Sequence, residues 1–287
     1  MDVRRFLEWA RDDDALVRID QSVDPDLELA RLMFALDGKP VLFQELSGHP
    51  DWRIVSGMCA QRETFAAALG CSVAELVPRM AEALEAPQTP PVLDRGPCQA
   101  AVEPVDLARL PIPRYHPQDG GPYVTAGVSI INDPVLGRNM SFHRLMVLDE
   151  TRFAARIVEG RGTHTALTRV DEDLPVAIAV GAPVQVLLAA AMSPAKGVDE
   201  LSIAHALAPT PLVRCQSVDL EVPAGAELIL EGRITGDLAD EGPFPDLTGT
   251  MDRVRRQPVI EIDHVTHRRD PIFHALLPSG MEHKNLM

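Results

Sequence analysis

The 287 residues carry 42 aspartates and glutamates against 27 lysines and arginines, a formal net charge of −15. That balance excludes a protein that tracks nucleic-acid phosphates, while 46% apolar residues is a globular composition with enough chain for one large or two ordinary domains. No transmembrane helix is expected, because the richest apolar stretch, 175–192, is broken by Gly181 and Pro183.

Residues 2–10 place Val3, Phe6, Leu7 and Ala10 on one helical face, with Asp2 positioned as a cap. ALVRID (15–20) alternates as a strand does. Asp24 followed by Pro25 reads as an N-cap and a first-turn proline, predicting a helix to about Leu36. PVLFQEL (40–46) reads as a buried strand. A helix over Arg62–Leu69 is ended by Gly70, and another is opened by Ser72 with Glu75 in a capping box, then kinked or restarted at Pro78.

Residues 86–117 hold eight prolines, which marks a connecting segment and a domain boundary near residue 100. Beyond it, 123–131, 143–149, 176–180, 227–234 and 258–265 have strand character, with helical stretches at about 183–192 and 198–208. The expected fold is α+β: an N-terminal α/β domain over 1–100, then an antiparallel barrel or sandwich over 101–287. The scattered Cys59, Cys71, Cys98 and Cys215, with no apolar leader, point to reduced thiols in a cytoplasmic protein.

GRNMSFHR (137–144) gathers Asn139, Ser141, His143 and Arg144 at a turn leading into a strand, where alternation turns Arg144 away from the other three. It reads either as a site or as the polar end of a hairpin. His164 lies in a glycine-bearing loop, RGTHTALTR. Asp199 and Glu200 open a helix, where acids also simply complement the macrodipole. In EGPFPDL (241–247), two prolines forbid a helix between Glu241 and Asp246, so the acids either flank a solvated turn or are held for chemistry. Together these segments offer an amide oxygen, an imidazole and a carboxylate suited to Mn²⁺ or Mg²⁺, and an arginine with two acids suited to proton transfer.

The ordered motifs LPIPRYHPQDGGPYVTAGV (110–128), NMSFHR (139–144), GVDELSIAHAL (197–207), VPAGAELILEG (222–232), EGPFPDLTG (241–249) and VTHRRDPIF (265–273), with the opening over 6–32, resemble the UbiD-type decarboxylases. The resemblance implies an N-terminal α/β domain followed by a split β-barrel like that of flavin reductases. It also implies non-oxidative, reversible decarboxylation of an aromatic or α,β-unsaturated carboxylic acid through a covalent adduct with prenylated FMN, made by a flavin prenyltransferase.

By the same resemblance, Asn139, His164 and Glu200 would hold a divalent metal, with His143 a rival to His164. K⁺ would sit near Glu200 and the backbone oxygens of Ala190 and Met192. Ser141 and Phe142 would lie along the flavin. Glu241, Arg144 and Asp246 would form the catalytic network, with Asp246 keeping a proton in a drier setting and delivering it to the product. Pro245 stands where family members usually carry glycine, which bears on the aim of Asp246. Family members continue into a C-terminal α/β domain, which is expected to be absent here. The site would be closed by a partner chain or by homo-oligomer contacts, the alternative being a non-catalytic flavin-binding or regulatory subunit.

Overall fold

The computed structural model describes residues 1–287. Helix α1 (Val3–Asp12) starts where the Asp2 carboxylate accepts from the Arg5 amide at 3.0 Å, and it buries Val3, Phe6 and Ala10. Strand β1 (Val17–Val23) precedes helix α2 (Glu28–Ala35). That helix opens later than the Asp24–Pro25 pair predicts. The backbone of 25–27 is claimed by the proline-rich connector instead: Leu27 N–H donates to the Arg114 carbonyl at 3.1 Å, and Arg114 N–H to that of Pro25 at 3.3 Å.

Next come β2 (Val41–Leu46), β3 (Arg53–Ser56), and α3 (Arg62–Leu69), which ends at a left-handed Gly70. The Ser72–Glu75 capping box forms over a short 3₁₀ turn. Helix α4 (Leu76–Glu85) then holds Pro78 in its first turn, where the missing N–H has no partner to lose.

The connector contributes β4 (Val92–Leu93) and β5 (Ala101–Glu103). Then follow β6 (Tyr123–Val124), β7 (Val128–Asp133), β8 (Gly137–Phe142), β9 (Leu145–Val147), β10 (Arg152–Ala155), α5 (Gly162–Leu167) and β11 (Leu174–Val180). Helices α6 (Val184–Ala191) and α7 (Glu200–Leu207) lead to β12 (Leu212–Arg214) and β13 (Glu221–Pro223). The long β14 (Leu228–Glu241) and β17 (Arg255–His267) flank the small pair β15 (Phe244–Pro245) and β16 (Met251–Asp252). Strand β18 (Ile272–His274) and helix α8 (Met281–Leu286) complete the order.

Eight strands run β6-β9-β10-β17-β14-β11-β7-β8 with β5 paired to β17, a nine-stranded sheet whose path does not close on itself. The fold is mixed α+β as expected, but an open sheet stands where a barrel was expected. A second sheet, β1-β2-β3-β18, recruits its last strand from the far end of the chain. The central strands of both sheets are buried on two faces, so period-2 alternation divides their side chains between two cores. Leu42, Val55, Ala177, Ala179 and Ile272 enter one core, while Phe43, Ile54, Ile178, Val180 and Phe273 enter the other. No helix is long and apolar enough to cross a membrane, and all four cysteines are free.

Candidate active site

Strand β14 ends by delivering Glu241 into the protein with no solvent exposure. A carboxylate there needs partners for both oxygens. Arg144, in the link between β8 and β9, supplies them: Nε donates to Oε1 at 2.8 Å and Nη2 to Oε2 at 2.9 Å. Tyr123 adds its hydroxyl to Oε1 at 3.1 Å. The Phe244 ring lies 3.9 Å from that of Tyr123 and 5.3 Å from the Arg144 guanidinium carbon, so the pair is walled by aromatic faces. Burial alone would lower the Arg144 pKa, but Glu241, with Tyr123 and Asp252, brings the net shift upward. The Tyr123 phenol is pushed up by burial first and by Glu241 next. The turn after Glu241 is pinned from outside by Gly120, whose amide donates to the Pro243 carbonyl at 3.0 Å. A Cβ on Gly120 would stand 2.4 Å from the Gly242 oxygen, so only glycine fits there.

Asp246 is not brought to Arg144. Its Oδ1 instead closes its own loop, accepting from Thr248 N at 2.8 Å, Thr248 Oγ1 at 2.7 Å and Thr250 N at 3.0 Å. The Thr248 hydroxyl and those amides lower its pKa, the reverse of the dry, proton-holding acid expected. The second acid on Arg144 is Asp252, which faces Phe244 across the β15–β16 pair and accepts from Nη2 at 3.2 Å. Nothing in the spacing of EGPFPDL signals Asp252; only the hairpin return supplies it.

Arg144, Phe244 and Asp252 line a pocket of about 320 Å³ with Phe142, Arg156, Asp246, Leu276, His283 and Leu286 among its other walls. His283 and Arg156 were not singled out in the sequence. The imidazole arrives on α8, where its Nδ1 accepts from the Ser279 amide at 3.1 Å and burial lowers its pKa.

Phe142, Val158 and Met287 also line an adjoining cavity of about 590 Å³, which includes Asn139, Ser141, His143, Ala190, Met192, Lys196 and Glu200. Asn139 and Ser141 stand on β8 itself rather than in a turn before a strand. Asn139 Nδ2 donates to Glu200 Oε1 at 2.9 Å, and the Met140 amide donates to Oε2 at 2.8 Å. Burial pushes the Glu200 carboxyl up to about 7. Asn139 Oδ1 is buried with no hydrogen-bond partner, and a Cβ on Gly162 would come within 2.4 Å of it. An orphaned oxygen beside a carboxylate is a donor set that suits a hard divalent cation.

His164 does not join them. It sits in helix α5, not a loop, and it does not line the cavity, whereas Gly162 and Thr165 do. His143 bonds to Ser141 Oγ at 3.1 Å and Thr163 Oγ1 at 2.9 Å, and burial lowers its pKa to about 4, so its ring is neutral. No three His, Cys, Asp or Glu side chains cluster as a metal site. Of the expected triad, Asn139 and Glu200 meet.

Arg144 thus borders one cavity and the Asn139–Glu200 pair the other, and the two cavities share Phe142, Val158 and Met287 as wall residues. The family model described as the 3-octaprenyl-4-hydroxybenzoate carboxy-lyase Rift-related domain matches residues 91–281, and the corresponding N-terminal domain matches 7–84. The chain belongs to the UbiD family of carboxy-lyases. It is 40% identical over 291 residues to the anhydromevalonate phosphate decarboxylase of Methanothermobacter thermautotrophicus, covering 99% of this chain and 67% of that protein. The protein of the same name from Methanosarcina mazei is 35% identical over 293 residues, covering 100% of this chain and 68% of that protein.

Among solved structures, an evolved dimeric form of the UbiD-class enzyme HmfF from Pelotomaculum thermopropionicum, in complex with prFMN, superposes with TM-score 0.96 at 36% identity. That match covers 99% of this chain and 69% of the other. The 3,4-dihydroxybenzoic acid decarboxylase AroY of Klebsiella pneumoniae gives TM-score 0.92 at 27% identity, covering 99% of this chain and 66% of the other.

Proposed function

We propose that the chain is the cofactor-side part of a decarboxylase acting non-oxidatively on an α,β-unsaturated carboxylic acid, with anhydromevalonate phosphate the first candidate. The observation that carries this is Arg144, paired with the buried Glu241, on the wall of a pocket that shares Phe142, Val158 and Met287 with the larger cavity. Prenylated FMN would occupy that cavity and supply an electron sink for the bond-breaking step. Asn139 and Glu200 would hold a Mn²⁺ or Mg²⁺ ion against the flavin phosphate, with K⁺ by the Ala190 and Met192 carbonyls. In this proposal residues 1–100 support the site, and 101–287, built on the open nine-stranded sheet, bind the flavin.

Arg144 has Nη1 left over after Glu241 and Asp252 take its other donors, and this nitrogen would hold the reacting carboxylate. Glu241 fixes the guanidinium so that no reorientation is needed during the reaction. Asp246 would return a proton to the product carbon. Its Oδ2 accepts no hydrogen bond within the chain, and an anionic substrate beside it would raise its pKa toward a proton-carrying form.

The test is co-expression with a flavin prenyltransferase, followed by mass spectrometry of the bound flavin and assay of CO₂ release from anhydromevalonate phosphate. The chain should retain prenylated FMN, and Asp246→Asn should keep it while losing solvent-deuterium incorporation into product. Absence of flavin sinks the reading. Flavin without CO₂ release until a second chain is added would make this a subunit.

A further inference from the structure

Two arginines line the smaller pocket, and they differ in what their donors are doing. Arg144 is committed to Glu241 and Asp252, leaving Nη1. Arg156 follows the end of β10, and its amide donates to the Arg144 carbonyl at 3.0 Å, so the two side chains rise from paired backbone. Its guanidinium makes a single hydrogen bond within the chain, Nη1 to the Ile157 carbonyl at 3.2 Å. Its nearest acid, Asp252, is 3.9 Å from Nε, beyond hydrogen-bond reach.

Asp252 cannot serve it further. That carboxylate already accepts from Arg255 Nη2 at 2.8 Å, Arg255 Nε at 3.3 Å, the Arg253 amide at 2.9 Å and Arg144 Nη2. The other groups that face Arg156 around the pocket are Asp246, whose Oδ1 is spent on its own loop, and His283, whose pKa is lowered by burial. Phe142, Val158 and Leu286 give the rest of the wall an apolar character. A planar fork left unpaired and only 23% exposed, beside a second arginine with one nitrogen free, matches a ligand carrying two oxyanions.

We propose that Arg156 is a specificity residue that clamps a phosphate carried by the substrate at the end remote from the carboxylate held by Arg144. This rests on the decarboxylase reading and narrows it to phosphorylated unsaturated acids. Fork geometry suits a phosphate, and both N–H groups of Nη2 with the second N–H of Nη1 have no acceptor within the chain, while Nε faces Asp252. An unphosphorylated acid would fill the same apolar wall and leave the fork idle.

The experiment is calorimetric titration of the flavin-loaded protein with anhydromevalonate phosphate and with the same acid lacking its phosphate. Wild type should bind the phosphorylated acid at least about tenfold more tightly, the size expected for hydrogen bonds to a charged group. Arg156→Gln should erase that preference while changing affinity for the unphosphorylated acid less than about twofold, and Arg156→Lys should restore part of it. A wild type without preference, an Arg156→Gln variant that keeps it, or equal weakening toward both acids would each overturn the assignment. Thermal midpoints of the variants confirm folding, and if Arg156→Gln does not fold, Arg156→Lys alone gives the reading. Continued CO₂ release with an unchanged preference in Arg156→Gln would reject the clamp and leave the decarboxylase standing. Failure of the wild type to hold flavin would reject the decarboxylase itself.

Discussion

At Glu241, complete burial is tolerated because both carboxylate oxygens are bonded, one of them twice. A buried imidazole nearby obeys the same rule in its neutral form. His143 bonds two hydroxyls and the Arg156 backbone, and burial, which outweighs that backbone bond, lowers its pKa from 6.5 to about 4. Between those values the unfolded chain holds a proton the folded one refuses, so stability rises with pH across the window. The contribution is complete above about 6.5 and lost as pH falls toward 4, on the order of 3 kcal/mol at most. Urea midpoints of His143→Gln and wild type, taken from pH 7 to pH 5, should therefore converge as pH falls. Parallel curves would show that His143 titrates freely. The sequence marked His143, Arg144 and Glu241 through short motifs. Asp252, Arg156 and His283 escaped because each reaches the pocket from an element whose register only tertiary pairing sets.

Among the elements, those governed by local chemistry were legible in advance. The Asp2 cap, the Gly70 stop and the Ser72–Glu75 box each act within four residues, and each formed as read. Helix α2 departed because Arg114, far along the chain, bonds the backbone its cap would have used. Helix α8, six residues long, is too short to announce itself and is held by a buried clasp. Glu282 accepts from the Gly57 amide at 2.8 Å, the Cys59 amide at 2.9 Å and His274 Nε2 at 2.9 Å, at 2% exposure. Glu282→Ala would strand two buried amides and free the helix that carries His283. The expected cost is about 2–5 kcal/mol, with hydrogen-exchange protection lost over 281–287 before the rest of the chain. Uniform loss of protection would mean the clasp serves global folding alone.

For the molecule as a whole, the question is whether the two sheets unfold together. A boundary near residue 100 suggests two units, yet β18 returns from the end of the chain to pair in parallel with β3. Each core also draws side chains from both sides of that boundary: Phe6 with Ile203 and Ile229 in one, Phe43 with Phe153 and Leu230 in the other. Such sharing couples the halves, because exposing one face of a strand unpacks the opposite core. The two tryptophans report on this separately, since Trp9 packs against the first core and Trp52 belongs to the second. We therefore expect Trp9→Phe and Trp52→Phe variants, each followed by the fluorescence of the tryptophan that remains, to give urea transitions that coincide with the far-ultraviolet dichroism of the same variant. A fluorescence midpoint separated from the dichroism midpoint in either variant would show that the cores melt independently. Coincidence would mean that the geometry at Arg144, built from Tyr123, Glu241, Phe244 and Asp252, persists until the whole chain unfolds.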